Sequence, residues 1–534
     1  MSASSKKKLR AEENAAKLTE KQLAQQKEDR KTRIYTITFA LMLAVLVIAA
    51  AVTGVNMGIR NSGVREKNTV ALTIGDTTLS NAELNYYFGD TVNQFYSQNG
   101  SYMSLFGLQA GVALDQQVYD EESGETWADY FLDAAENSAK ATYALYNDAL
   151  ANGYTISEDG ESQVTSTVST LSLYAQVYGY SDAEGYLKAM YGNGATLETY
   201  ENYLRTSVIA SEYQSKYQNE LTFTADEMNA KSEEDSKLYN SYSYNQYYIS
   251  TSRYLDDEAT NEERAAAAEA DAKTLVGEEI DSVDALDAAI AALEVNAESS
   301  AKSTSMDATR YSSVNSTISE WVTDDARVEG DKTYVASTST TTDDDGNEVT
   351  NVSGYYVVYY IGSTDNTFPL VNVRHILAGF EGGTTDENGN TTYSDEEKAT
   401  AKRKAEDLLA EFLAGDKTED SFAALATENT TDTGSQENGG LYENVYPGQM
   451  VEAFNDWCFD SSRQAGDTGV VETTYGYHIM YFVGNADQSY REYLIHNDLV
   501  SEAYNQWYTD LVESTTMTVG NTKYVNTGIA FNAN

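Results

Sequence analysis

Several residue types are scarce in this chain of 534 residues. There is a single cysteine, Cys458, so an intramolecular disulfide is excluded. There are also only two prolines and three histidines. Basic residues are few, because 35 Lys and Arg stand against 84 Asp and Glu, a formal net charge of −49. This acidity argues against nucleic acid as a partner and favours basic or neutral partners.

Long apolar runs are scarce as well, and the one that occurs extends from Ile34 to about Val55 without a charge. It is long enough to cross a bilayer, which takes about 20 residues. Residues 1–33 hold 10 Lys and Arg against 5 Asp and Glu, which predicts a cytoplasmic N-terminal tail. We expect a transmembrane helix over residues 34–56, with the rest of the protein outside. The alternative is a cleaved signal peptide, for which the polar lead is long. A lipid anchor is not expected there, because no cysteine lies directly after the run.

Two of the three histidines lie in short apolar runs. His375 lies in Val373–Leu377 and His478 lies in Tyr475–Phe482. Both runs alternate in polarity and are rich in β-branched and aromatic residues, which is typical of strands. The pattern predicts two neighbouring strands that carry paired imidazoles.

The segment between these strands has helical patterns. Ser394–Glu397 has the form of a capping box, and the helix that follows should end at Gly415. A second helix carries Phe422, and a third starts near Gln449. Two strands end the stretch, so the order of its elements is β, three helices, β-β.

Five short motifs occur in order along residues 369–484, about one fifth of the chain. They are Arg374-His375-Ile376-Leu377, Ser421-Phe422-Ala423-Ala424-Leu425-Ala426, Gly439-Gly440-Leu441, Gly448-Gln449-Met450-Val451 with Phe454, and Tyr475-Gly476-Tyr477-His478-Ile479. Together they resemble the parvulin family of peptidyl-prolyl cis-trans isomerases. Two histidines with a few apolar residues could also be ordinary core, but five ordered motifs favour the family.

The resemblance implies a complete site. Its catalytic residues would be His375, His478, Asp432 and Thr473. The apolar cup for the proline ring would be formed by Leu441, Met450 and Phe454. Prolyl isomerisation breaks no covalent bond, and its barrier of about 18–20 kcal/mol is lost amide resonance. An apolar cup with a few fixed polar groups can favour the twisted amide without a cofactor or a metal.

Residues 70–240 begin with a strand, Val70–Asp76, and continue with helical stretches. These are predicted at about 83–98, 126–152 and 162–220. This order is similar to the substrate-holding domain of PrsA- and SurA-type foldases; a generic helical domain is the alternative. A helix at about 488–513 follows the parvulin-like stretch. The family implies that residues 488–534 return to pack on the N-terminal domain.

Residues 243–362 have the pattern of a second parvulin-like unit. Tyr244–Ile249 aligns with Val371–Ile376, and Gly354–Val358 aligns with Gly476–Met480. In this alignment two tyrosines, Tyr248 and Tyr356, replace both histidines. We therefore expect an inactive repeat used for binding or spacing. The alternative is that two unrelated β-α-β stretches happen to align.

Two Asp-rich stretches, 343–347 and 386–390, lack the spacing of a complete calcium loop, so hairpin tips are expected there. The sequence thus predicts an α+β protein with an N-terminal transmembrane helix. A helical chaperone domain is completed by the C-terminal helix, and two parvulin-like β-α3-β2 units lie in tandem. The expected function is that of an extracytoplasmic foldase in the cell membrane of a Gram-positive-type bacterium. Its partners would be unfolded or partly folded exported polypeptides with X-Pro bonds. A non-catalytic holdase and a surface adhesin are the alternatives.

Overall fold

The structure is a computed structural model. It describes residues 4–8, 10, 57–58, 60–254, 259–296, 300–342, 348–386 and 389–530. The predicted transmembrane helix, residues 34–56, lies outside this range. Within the described residues, no helix combines the length and the apolar character needed to cross a bilayer. The chain divides into a helical unit, Met1–Leu221 with Ala503–Asn534, and a sheet-bearing unit, Thr222–Glu502.

The helical unit begins with a small hairpin and continues as helices. Its elements in chain order are α1 (Val64–Asn68), β1 (Val70–Ile74), β2 (Thr77–Ser80), α2 (Asn81–Asn99), α3 (Trp127–Ala151), α4 (Glu158–Val177), α5 (Ala183–Tyr191) and α6 (Leu197–Glu220). The hairpin was not predicted, since Gly75 turns the chain after only five strand residues.

The helical stretch predicted at about 162–220 is divided among three helices. Gly179 and Gly192 adopt left-handed φ angles of 76° and 96°, which interrupt the helical backbone. Asp182 and Thr196 then cap the helices that follow each break. At each break, a glycine ends one helix and a capping residue shortly after it starts the next, although the helical pattern of the sequence is continuous.

The sheet-bearing unit contains two successive repeats, and the long helix that follows them extends past the last residue of the unit, Glu502. Its elements are α7 (Ala225–Glu234), β3 (Ser241–Ser250), α8 (Asn261–Thr274), α9 (Val283–Ala292), β4 (Thr304–Arg310), α10 (Ser319–Val322), β5 (Lys332–Thr342), β6 (Glu348–Thr364), β7 (Pro369–Gly379), β8 (Thr384–Thr385), β9 (Thr391–Thr392), α11 (Asp395–Ala414), α12 (Glu419–Asn429), β10 (Leu441–Val445), α13 (Glu452–Cys458), β11 (Thr468–Thr473), β12 (Gly476–Ser489) and α14 (Tyr490–Ser514). The last strand, β13 (Met517–Val519), pairs antiparallel with β1 in the helical unit, whose sheet has the order β13-β1-β2. The predicted α+β class is confirmed.

We call residues 241–364 repeat A and residues 369–489 repeat B. Their four-stranded sheets have the orders β4-β3-β6-β5 and β10-β7-β12-β11, which are the same topology. In each sheet the two central strands are antiparallel neighbours. The edge strand β10 was not predicted, because five residues are too few to show a clear alternation.

The third helix of repeat B starts later than predicted. α13 begins at Glu452 and not near Gln449. The preceding residues form a turn in which Gln449 N–H donates to the Tyr446 carbonyl. Asn455 Oδ1 accepts from Gly448 N–H at 2.7 Å, which ties this turn to the helix.

The sheet of repeat B has two buried faces. One face packs against α11 and α12 through a cluster that includes Ile376, Phe422 and Ile479. The other face carries a second cluster that includes Val373, Phe454 and Met480. Successive strand residues point to opposite faces, so His375 and His478 belong to the face with Met480.

Candidate active site

Strand register brings the two histidines together. His375 on β7 pairs with Met480 on β12, and His478 lies two residues before Met480. The histidines are therefore diagonal neighbours on one face, within reach of each other. Their Nδ1 atoms are 3.0 Å apart, and both side chains are almost fully buried.

The predicted catalytic residues form one continuous polar chain. His375 Nε2 lies 2.9 Å from Asp432 Oδ2. At the other end, His478 Nε2 lies 2.9 Å from Thr473 Oγ1. The structure thus brings together all four residues on which the parvulin resemblance places the chemistry.

The partners of this chain define the tautomers. An ionised Asp432 accepts only, so the proton on His375 lies on Nε2 and its Nδ1 accepts. His478 must then donate from Nδ1, which leaves its Nε2 to accept from the Thr473 hydroxyl. Tyr475 N–H donates to the Thr473 oxygen at 3.2 Å, which is consistent with that direction. Every proton in the chain then points towards Asp432.

Burial keeps both imidazoles neutral. It lowers the pKa of His375, against the opposing effect of Asp432. Burial, together with the repulsion that a protonated His375 would exert, lowers the pKa of His478 to about 3. Burial alone would raise the pKa of Asp432, but hydrogen bonds from Ser435, Tyr442 and His375 outweigh it and hold that pKa below its ordinary value.

Asp432 is placed by a loop that is fastened to β7. After α12 ends, the Thr430 hydroxyl accepts from Leu377 N–H at 3.0 Å. Thr431 N–H donates to the Leu377 carbonyl at 2.9 Å. Asp432 directly follows these two residues, so its short side chain reaches His375.

Aromatic rings enclose the histidine pair. The ring of Phe454 meets both imidazoles edge to face, with centroids 5.6 Å from His375 and 5.3 Å from His478. The ring of Tyr442 stacks on His375 at 5.0 Å. Met450 packs, partly buried, against the same cluster. This is an apolar cup with neutral polar groups at its base.

Leu441, which was predicted as part of the cup, is placed elsewhere. It pairs with Arg374, whose guanidinium bonds to Glu419 on the face of α11 and α12. The next residue, Tyr442, pairs with Val373 and so points to the histidine face. The prediction was wrong by one residue, which in a strand is the opposite face.

Comparisons with known proteins bear on the same stretch. Residues 355–485 match the family described as PPIC-type PPIASE domain. Foldase protein PrsA 1 of Listeria innocua is 31% identical over 120 residues, which are 22% of this chain and 32% of that protein. Foldase protein PrsA 3 of Bacillus cereus is 45% identical over 60 residues, 11% of this chain and 20% of that protein.

Repeat B is a parvulin-type domain of the PPIC class. The family match begins before repeat B, at Tyr355 in β6 of repeat A. The first curated relatives are matched over about one third of their own length. A crystal structure of PrsA from Bacillus subtilis aligns with 77% of this chain and 96% of that chain, at 13% identity and a TM-score of 0.28.

Two residues of the parvulin site were missed from the sequence. Tyr442 donates from its hydroxyl to Asp432 Oδ2 at 3.0 Å. Ser435, which is buried, also donates to Asp432 and lies 3.2 Å from His375 Nε2. The position of Tyr442 directly after Gly-Gly-Leu was a usable signal. Ser435 lies in a polar loop with no pattern that would have singled it out.

The Gly-Gly turn before β10 explains why this loop lies so close. His375 N–H donates to the Gly440 carbonyl at 2.8 Å. A Cβ atom at Gly440 would lie 2.1 Å from the His375 carbonyl oxygen, and its φ of 72° is left-handed. Only glycine allows this approach, which delivers Tyr442 to the histidine pair.

Proposed function

We propose that the protein is a membrane-anchored, extracytoplasmic peptidyl-prolyl cis-trans isomerase and chaperone that assists the folding of exported proteins. The observation that carries the isomerase activity is the neutral histidine pair beneath an aromatic cup. Its partners would be unfolded or partly folded polypeptides with X-Pro bonds. Catalysis is assigned to His375, His478, Asp432 and Thr473.

The chemistry of the site supports a twisted-amide mechanism. As the amide loses resonance, its nitrogen becomes pyramidal and its carbonyl behaves more like a ketone. The cup of Met450, Phe454 and Tyr442 would hold the proline ring while the rest of the chain turns. Covering a neutral imidazole with an apolar ring costs less desolvation free energy than covering a charged one. Stabilisation would come from preorganised neutral dipoles and not from bond formation.

The test is a protease-coupled cis/trans assay on the full chain in a neutral detergent, with a panel of residues before proline. We expect faster isomerisation, saturable in substrate, and a large loss in the His375→Gln/His478→Tyr variant. An uncatalysed rate with every peptide of the panel would refute the isomerase activity.

Membrane anchoring rests on the sequence. The apolar run at 34–56 follows a basic tail, which favours a single helix with its N-terminus in the cytoplasm. Protease added to intact cells should then degrade residues beyond about 60 and spare the N-terminal 33. Protection of both repeats in intact cells would overturn the extracytoplasmic location.

A holdase that uses both repeats as peptide grips is the second candidate. It is favoured by repeat A, whose fold is complete although its site lacks histidine. Gln246 Oε1 in that repeat is buried and has no hydrogen-bond partner among the described residues. The same cis/trans assay separates the candidates, because a holdase binds peptide without accelerating isomerisation.

A further inference from the structure

A groove of about 740 Å³ adjoins the histidine site through a shared residue, Thr473. The hydroxyl of this residue contacts His478 Nε2 at 2.9 Å. One wall is the segment Val451–Ala453, which lies between the cup residues Met450 and Phe454. A peptide whose proline occupies the cup can therefore place a neighbouring residue in this groove.

The opposite wall is aromatic. Phe380, just after β7, and Tyr393, just after β9, both line the groove, and their ring centroids are 5.0 Å apart. Both rings are half-buried, so each still presents ring surface to solvent. A third ring, Tyr477, meets Phe380 edge to face at 5.9 Å and supports it from behind.

This wall is held in place before any substrate arrives. Gly383 has a left-handed φ of 83°, and a Cβ atom there would lie 2.8 Å from the Tyr393 ring. The ring thus packs against bare backbone. Gly383 N–H also donates to Glu397 Oε1 at 2.9 Å, and Glu397 belongs to the capping box of α11. The β8-β9 hairpin is therefore fastened at its base to a rigid helix.

The charges around the groove favour an uncharged or cationic occupant. Two carboxylates line it, Glu452 and Glu472, against one cation, Lys398. Glu472 accepts from the Tyr477 hydroxyl at 2.8 Å beside the aromatic wall. An acidic or phosphorylated residue would meet like charge here.

We infer that this groove is a specificity subsite for an aromatic side chain within two residues of the substrate proline. The inference rests on the proposed isomerase function, because it assumes that the cup receives proline. Its volume is that of a small-ligand site and admits one large ring. Ring-on-ring contact with Phe380 and Tyr393 distinguishes an aromatic side chain from an aliphatic one of similar area.

The experiment compares Phe with Ala and with Leu at each position within two residues of an Ala-Pro core, using the full chain in neutral detergent. Both turnover and peptide affinity, by fluorescence polarisation, are measured. We expect Phe to be favoured by about two- to tenfold at one position, the factor expected for an aromatic pair. In Tyr393→Ala this ratio should fall to about one, and Tyr393→Phe should keep it.

Thr385→Ala is the matched control, because Thr385 lies on the same hairpin but does not line the groove. It should leave the ratio unchanged. Absence of any aromatic preference, or a preference that survives Tyr393→Ala, would overturn the subsite. The peptide affinities test the subsite even if no peptide is turned over. The absence of turnover would refute the isomerase activity and not the subsite. Equal gains from Leu and Phe would also overturn it, since the groove would then be merely apolar.

Discussion

Repeat A and repeat B share their scaffold in detail and differ at the site. Each edge strand contains one residue with a left-handed φ, Ala308 at 42° and Asn444 at 54°. The backbone N–H of each donates to a side chain of the neighbouring strand, Ser243 at 3.0 Å and Asn372 at 2.8 Å. Bulges this similar indicate that one architecture was built twice.

The turn before the final hairpin is also the same in both repeats. Arg327 lies 4.8 Å over the ring of Trp321, and Arg463 lies 4.3 Å over the ring of Trp457. In each repeat, the glycine N–H that follows donates to a carbonyl on the long strand at 2.9 or 2.8 Å. These residues therefore specify the fold and not the chemistry.

At the site both histidine positions have changed. By sheet register, Gln246 pairs with Val358 as His375 pairs with Met480, so Gln246 and not Tyr248 replaces the first histidine. The alignment from sequence was off by two residues at this strand. Tyr356 does replace His478, since each pairs with the equivalent residue of its edge strand, Val335 or Val471.

The remaining polar residues of repeat A are used for structure. Asn296 lies as many residues after the N-cap of the preceding helix as Asp432 does, so it is the counterpart of Asp432. It bonds instead to Tyr247 and Arg253. Tyr356 accepts from Asn315 Nδ2 at 3.1 Å. The comparison teaches that the sheet tolerates loss of the histidine pair, so repeat B retains that pair for a reason other than stability.

The largest expected effect is on turnover. Replacing His375→Gln and His478→Tyr, the residues of repeat A, should lower kcat/KM at least about 100-fold, the cost typical of removing preorganised polar groups. The reciprocal control, Gln246→His with Tyr356→His, should leave turnover unchanged. If the first variant were as active as the wild type, the histidine pair would not be what distinguishes repeat B from repeat A in catalysis.

The second effect is on acid stability. Both histidines of repeat B have folded pKa values below the ordinary value of about 6.5. Below that pH the unfolded state binds more protons, so stability is fully present above about 6.5 and is lost as pH falls towards about 3. Repeat A has no histidine and lacks this contribution.

Hydrogen exchange of the full chain at pH 7 and pH 4.5 checks this prediction. We expect β7 and β12 to lose on the order of 2–3 kcal/mol of opening free energy beyond any loss in β3 and β6, at about 1.4 kcal/mol per pKa unit. The His375→Gln/His478→Tyr variant should abolish the difference. Equal losses in both repeats would contradict the neutral buried pair.

The third effect concerns phosphorylated substrates. Arg374, the basic residue next to the site, donates to Glu419 and to the Asn438 and Gly439 carbonyls. Its counterpart in repeat A, Asn245, contacts Ser303 at 2.8 Å, so the position is structural in both. A phosphoserine-Pro peptide should be turned over about tenfold more slowly than Ala-Pro, the effect of about 1.4 kcal/mol of repulsion.

Kinetic assays with matched peptides measure this preference. Neutralising Lys402 and Arg403 on the surface of α11 should not change it. Faster turnover of the phosphopeptide, lost in Arg374→Ala, would show that this arginine reads phosphate.

The smallest effect tests the shared scaffold. The Arg327 and Arg463 side chains are 23% and 22% exposed, so their cation–π contacts should contribute equally. Each Arg→Ala change should cost about 0.5–1 kcal/mol, measured as local opening by hydrogen exchange. Arg→Lys at each position is the control, with a smaller loss. Unequal costs would mean that the two turns are not equivalent.

Local chemistry by itself determined most helix starts and the strands of the histidines. The capping box at Ser394 lies where it was expected, because a cap is read from four consecutive residues. The pairing of His375 and His478 followed from alternation on two apolar strands. These features depend on neighbours in sequence, which a single chain displays directly.

Tertiary structure decided which residues face the site. Tyr442 rather than Leu441, and Gln246 rather than Tyr248, follow from bulges and strand register. A shift of one residue reverses the face of a strand, and no local pattern sets the register between distant strands. Ser435 joins Asp432 only because Thr430 and Thr431 fasten its loop to β7. The sequence thus indicated the family and its paired histidines, while the residues that line the site could be assigned only from the tertiary structure.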